Sequence, residues 1–466
     1  VYGLLFSGIL ALVSRLYAPI VTDTNIPLPL LSLVQFFFCG LVIFFPTFLM
    51  GATLPLLAKH LYETSEELAE NISSLYGFNT LGALAGCLFA GYFLLPTFGY
   101  SKTMYFAAAI NIFLFTLSLI QFPFESFSWK DLFPYENTPK ASVSVSRSLR
   151  HPLVWLVFLS GALSLFAQLL WNRLAALSFG PSVFVFPLIT SMILMGIFLG
   201  SVLSSRFSGS EERTWRFLGI NTLLAIPLVI IGNYFFGRFP LVVLWLNSTS
   251  QLGHGAYTLF QFAICGIAIL PASTAIGAIF PAALSLYSRE KNHEASLSVG
   301  IAYGMNIGGV LTGAILGGFV ILPHFGLDIL SRALAVSLVL ALFLIFQKSR
   351  ASYLHAVPLG ILAMIIVLAS PSFEKTLLTS GYFYNRIHTG DVKDYHSYYD
   401  SLQSFHDMYR YALVDYKDDA HGTVSIHEYV NNPEERWFRI DGKTDGNRRG
   451  DVATVRLLDY FPQIFA

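Results

Sequence analysis

Polar side chains set in apolar surroundings are the residues on which chemistry could rest. In "SGALSLFAQLLWNRLAALSFG" (160–180), Gln168 and Arg173 stand inside an otherwise apolar stretch. Tyr76 with Asn79, and Tyr303 with Asn306, occupy matching places in two closely similar segments. Polar groups within a bilayer are costly and often functional. These six side chains could therefore line a central cavity that binds a small polar solute. Hydrogen bonding between helices is the simpler account of the Tyr and Asn pairs, and snorkelling to the interface accounts equally for Arg173.

Other motifs carry less. Arg449-Gly450-Asp451 spells an adhesion tripeptide, a short match common by chance. His388, His396, His406, His421 and His427 lack regular metal-ligand spacing, so no metal site is expected. Cys39, Cys87 and Cys265 lie in apolar segments, where a buried small hydrophobe is the simplest reading. No glycine-rich dinucleotide fingerprint follows a strand, and neither a P-loop nor a nucleophile elbow occurs. Lys plus Arg and Asp plus Glu both total 28, which offers no argument for a nucleic-acid partner.

The elements that must position the six polar residues are apolar. Hydrophobic residues make up 55% of the 466, charged ones 12%, and mean hydropathy is +0.61. Soluble domains carry about 25% charge, so a polytopic protein embedded in a lipid bilayer is expected, with a polar tail at 375–466. A spanning helix needs about 20 apolar residues. That rule places spans near 1–20, 29–57, 72–96 and 103–122, then near 152–178, 182–204, 215–236, 255–286, 297–322 and 328–347, with a short one near 353–370.

"YGFNTLGALAGCLFAGYFLLPTFG" (76–99) returns as "YGMNIGGVLTGAILGGFVILPHFG" (303–326). "GATLP" (51–55) and "GAIFP" (277–281) precede the two copies at nearly the same distance. The expected fold is a polytopic α-helical membrane protein with two parallel repeats of a six-helix transporter-like bundle. The first repeat, 1–122, has four spans and is expected to be incomplete; 123–151 is a cytoplasmic linker; 152–347 is the second repeat; 353–371 is an extra hydrophobic segment. Gly82, Gly86 and Gly91, with Gly309, Gly313 and Gly318, would let neighbouring helix backbones approach closely.

Basic residues collect in alternate loops: Lys59; Lys130, Lys140, Arg147 and Arg150; Arg206, Arg213 and Arg216; Arg289 and Lys291; Lys348 and Arg350. The positive-inside rule puts these in the cytoplasm. If 353–370 crosses the bilayer, the tail lies on the far side; if it is re-entrant, the tail is cytoplasmic. In the tail, 422–430 and 436–440 alternate like half-buried strands joined by a turn at Asn431-Asn432-Pro433. Asp441-Gly442 ends the second strand, and a helix bearing Leu457, Leu458 and Phe461 is expected after Asp451, completing a small soluble β-hairpin/helix unit.

"PTFLMGATLPLLAKHL" (46–61), "SSLYGFNTLGALAGCLFAGYFLLPTFGY" (73–100), "FLSGALSLFAQLLWNRLAALSFGPS" (158–182) and the tail from "TVSIHEY" to "DYFP" together resemble membrane-fused spermidine synthases. The resemblance implies a polyamine aminopropyltransferase of a bacterial inner membrane, with decarboxylated S-adenosylmethionine as co-substrate. It makes 375–466 the N-terminal part of the synthase domain. The catalytic Rossmann-like part would follow residue 466, so no catalytic residue and no cofactor is expected in this chain. Asp441, Gly442, Asp445, Asp451 and Thr454 would contribute to substrate binding. Two departures bear on this. Arg456 stands near a pocket meant for cationic amines, which is electrostatically unfavourable, and Gln168 replaces the glutamate the family leads one to expect. The alternative is a multi-pass transporter or sensor of a polyamine or other small polar solute, with a degenerate synthase-like tail.

Overall fold

Long apolar runs satisfy their backbone hydrogen bonds internally as helices. The computed structural model describes residues 2–21, 28–61, 65–121, 150–249, 252–289, 295–348, 353–383, 411–419, 422–429 and 432–447. Helices α1 (Tyr2–Val21), α2 (Leu28–Leu61), α3 (Ser65–Phe89) and α4 (Leu95–Gln121) come first. They are followed by α5 (Pro152–Phe179), α6 (Val185–Ser205), α7 (Glu211–Phe236), the short α8 (Phe239–Thr249) and α9 (His254–Ser288). Then come α10 (Ala295–Ala314), α11 (Leu322–Lys348), α12 (Tyr353–Leu368) and the single turn α13 (Lys375–Leu378). Local signals set several ends. Pro152 opens α5, where its missing N–H costs nothing. Ser210 caps α7 by accepting from the Arg213 N–H, with Glu211 and Glu212 in the first turn.

Among the described residues, six helical segments are long and apolar enough to cross a membrane: 71–120, 152–179, 185–205, 211–236, 255–288 and 299–347. The first and last run 50 and 49 residues, more than one crossing needs. Each contains a sharp bend at a glycine, Gly99 (φ 72°, ψ −179°) and Gly326 (φ 77°, ψ −176°), in a conformation L side chains resist. Contacts show that the chain reverses at Gly326. Gly309, Gly313 and Gly317 meet Phe158, Ala162 and Phe166 in order, so α10 runs parallel to α5. Past the bend, Ser331 bonds Asn233 and Ile345 lies beside Gly219, so α11 runs antiparallel to α7. A π-helical turn precedes each bend, at Ala90–Leu94 and Ile315–Ile321.

The glycines divide into two groups. A Cβ on Gly309 would fall on the Phe158 carbonyl oxygen, and one on Gly313 would stand 3.0 Å from the Ala162 carbonyl oxygen. Gly91 packs on Pro187, where a Cβ would stand 2.6 Å from the ring. Gly82 and Gly86 depart from the expectation: among the described residues nothing lies within 4 Å of a Cβ at either, and both are exposed. Gly317, one residue before the expected Gly318, is the one pressed against α5. The tightest α6–α9 approach uses Gly196, Gly200 and Gly277, which the repeat did not single out.

The tail is a four-stranded antiparallel meander, β1 (Tyr411–Asp418), β2 (Thr423–Tyr429), β3 (Asn432–Ile440) and β4 (Lys443–Asn447), in that order. Two of these strands, β2 and β3, were expected; β1 and β4 were not. Asn432 and Pro433 belong to β3 rather than to a turn. Asp441 (φ 48°) and Gly442 (φ 78°) form the two-residue β3–β4 hairpin turn with both φ positive, for which Asp-Gly is well suited. The helix expected after Asp451, with Leu457, Leu458 and Phe461, lies outside the described residues.

Candidate functional site

The six polar candidates on the apolar helices do not converge on one cavity among the described residues. Asn306 on α10 donates to the Val157 carbonyl at 3.3 Å and to Ser160 Oγ at 3.1 Å, tying α10 to α5. Gln168 reaches Thr190 Oγ1 on α6 at 3.4 Å. Asn79, the counterpart of Asn306, is exposed on α3. Hydrogen bonding between helices therefore accounts for Asn306 and Gln168. The two tyrosines do come together. Tyr76 packs on Phe280 with ring centroids 4.8 Å apart, and Tyr303 packs on the same ring at 6.2 Å. Phe280 belongs to the "GAIFP" motif of α9, so both copies of the Tyr-Gly-x-Asn motif and one copy of the proline motif meet at one aromatic cluster.

Arg173 does something else. Near the end of α5, its Nη2 donates to the Asp419 carbonyl at 2.7 Å and its Nη1 pairs with Asp441 Oδ1 at 3.3 Å. Both side chains are nearly buried, at 10% and 13% exposure. Asp441 Oδ1 also accepts the Thr423 N–H at 2.8 Å. The residue that the resemblance assigns to a polyamine pocket is thus engaged in joining the sheet to a helix. Gly442 is covered by Phe383, whose ring also lies on Gly180 (φ 88°) at the end of α5. Asp445 pairs with Lys443 at 3.7 Å on the sheet surface. Asp451 and Thr454 lie outside the described residues.

A second joint was not foreseen. The buried carboxylate of Asp418 accepts from Tyr416 Oη at 2.9 Å, Thr423 Oγ1 at 2.7 Å and the Leu327 N–H at 3.1 Å. Leu327 follows the bend at Gly326, so the strand's last residue anchors α11 just past its bend. Burial raises the Tyr416 hydroxyl above its ordinary range, and the adjoining Asp418 carboxylate adds to that. Arg439 on β3 donates to the Thr379 and Ser380 carbonyls at 2.9 and 2.8 Å, fastening the segment after α12 to the sheet. Burial pushes Tyr382 up to about 12. Burial, with Arg439 nearby, holds His427 down at about 3. The only sequence signal for Asp418 was an acidic residue ending a short alternating stretch, and that does not stand out.

Two cavities have other linings. One of about 50 Å³ lies between α7, α11 and the 370–377 segment, beside Asn233, Ser331 and Arg238. It has room for a water or two. An open groove of about 780 Å³ between α6, α7 and α9 is lined by Met192, Met195, Leu224, Phe262 and Ile267. Its walls suit an acyl chain better than a polar solute. Among the described residues, no group of His, Cys, Asp and Glu could hold a metal ion. No family model, no curated protein and no solved structure matches this chain.

Proposed function

We propose that the chain is a multi-pass membrane protein of transporter-like build that moves or senses a small polar solute, carrying a docked sheet of spermidine synthase-like descent. The observation that carries this reading is the cluster Tyr76–Phe280–Tyr303, where equivalent tyrosines from two repeated segments close on one ring. In parallel-repeat transporters the substrate site lies where the repeats meet. The pairing of Leu28–Leu61 with His254–Ser288, of both π-turns and of both glycine bends supports treating the two halves as structural repeats. Aromatic faces attract organic cations by about 0.5–2 kcal/mol each, so an amine is the solute class that fits this cluster.

The purified protein in proteoliposomes tests the reading, with radiolabelled putrescine and spermidine as probes. Uptake or saturable binding is expected, and Tyr303→Leu and Phe280→Leu should weaken it by about tenfold. A correctly folded parent that neither binds nor accumulates either amine would refute it.

A second reading, aminopropyl transfer, gains support from the four-stranded meander with its Asp441-Gly442 turn. It requires the amine pocket to form without Asp441, which Arg173 and Thr423 occupy. Transfer of an aminopropyl group from decarboxylated S-adenosylmethionine to putrescine, assayed on a chain extended past residue 466, decides it.

A further inference from the structure

We infer that the four-stranded sheet lies on the extracytoplasmic side of the membrane and is fixed to the second helical group, which carries it as one body. The inference stands whether or not the helices move a solute.

The direction of each helix gives the side. Helix α5 starts just after Arg150 and ends at Gly180, against Phe383 of the tail. Helix α6 returns to Arg206. Helix α7 starts beside Arg213 and Arg216 and ends at Gly237, against Phe373. Helix α9 comes back to Arg289, whose guanidinium donates to the Ser208 carbonyl, so these basic residues share one end of the molecule. Helix α11 starts at the other end, beside Asp418. Helix α12 then runs from the basic end to that other end, because Ser372 just past it meets Arg332 near the start of α11 at 3.2 Å. Its 16 residues span about 24 Å at 1.5 Å each. The sheet therefore docks on the end opposite Arg150, Arg206, Arg213, Arg216 and Arg289. With basic loops in the cytoplasm, the sheet is outside.

The attachments give the rigidity. Arg173 of α5 holds Asp441 and Asp419, the start of α11 holds Asp418, and Arg439 holds the segment after α12. The bonds to Arg173 and Leu327 end on the helical group that begins at Pro152, and those of Arg439 hold the sheet to the segment through which α12 enters the tail. If that group rocks against the first, the sheet goes with it. A cytosolic S-adenosyl donor has no access to a sheet so placed, and any ligand of its surface is a solute of the outer side.

Cysteine labelling tests both parts. In a background with Cys39, Cys87 and Cys265 replaced by Ala, Glu434→Cys places a thiol on exposed β3 and Glu212→Cys one at the basic end. A membrane-impermeant maleimide should label E434C in intact cells and E212C only after permeabilisation; the reverse pattern overturns the assignment. Thr379→Cys is fully buried under Arg439 and should react slowly. Adding Arg173→Gln should raise that rate about ten- to a hundredfold, through loss of hydrogen bonds from a charged donor. Where T379C misfolds, hydrogen exchange at the Thr423 N–H reports the same release. An unchanged rate in both would show that the sheet is not held by this pair.

Discussion

Gly309→Ala should behave unlike Gly82→Ala, although the two glycines hold equivalent places in the repeated segment. At Gly309 the added methyl would fall on the Phe158 carbonyl oxygen and within 2.8 Å of its carbon. Carbon atoms in contact sit about 3.5–4.0 Å apart, and neither partner is a flexible side chain. Helices α10 and α5 would have to separate, which also stretches the 3.1 Å bond from Asn306 to Ser160. Overpacking of this kind costs about 1–3 kcal/mol, and a lost interhelical hydrogen bond in a membrane adds about 0.6 kcal/mol. At Gly82 the methyl meets nothing within 4 Å among the described residues, and Ala is favoured over Gly in a helix by up to about 1 kcal/mol. The two variants should thus differ by about 2–4 kcal/mol, roughly thirty- to a thousandfold in the ratio of folded to unfolded protein. Unfolded-state trapping in detergent, with each variant measured against the parent, reads this directly. Equal losses at both positions would refute this difference and mean that the Gly82 face is covered as Gly309 is.

Asp418→Asn should loosen the sheet from α11, at a cost of about 1.5–3 kcal/mol for hydrogen bonds to a charged acceptor. Faster hydrogen exchange at the Leu327 and Thr423 amides would register it, and unchanged exchange would contradict the joint. Stability of the sheet should fall with acid through His427. Its folded value of about 3 lies below the ordinary 6.5, so the unfolded state takes up the proton first. Stability is then flat above pH 6.5 and declines by about 1.4 kcal/mol per pH unit down to about 3. His427→Gln should remove that slope in an acid titration followed by exchange of β2 and β3 amides, and a slope that survives the substitution would assign it elsewhere. Gly442→Ala, at φ 78° and 3.3 Å from the Phe383 ring, should cost about 1–2 kcal/mol, visible as a lower midpoint for loss of the sheet in urea.

Helix existence was legible because apolar length is a local property: a run of about 20 such residues has few other ways to satisfy its backbone in lipid. The expected spans near 152–178, 182–204 and 215–236 agree with α5, α6 and α7 to within a few residues. Gly99 and Gly326 recur at matching places in the repeated segment, but only their positive φ in the fold marks them as bends. The short α8 and strands β1 and β4 were missed. Eight residues in "YALVDYKD" and five in "KTDGN" are too few or too polar to show a period, and pairing with β2 and β3 holds them.

The sequence by itself determined that this chain is helical and apolar, that a segment recurs, and that a small alternating unit follows. Those properties depend on neighbours along the chain. Which glycine meets a backbone, which Asn crosses to another helix and where Arg173 points were decided only in three dimensions. Gly82 and Gly309 share a motif but not an environment, because close approach depends on whether another helix lies opposite. Arg173 and Asp441 are 268 positions apart. Nothing local marks them as a pair: a buried charge is stable only where folding brings an opposite charge to it.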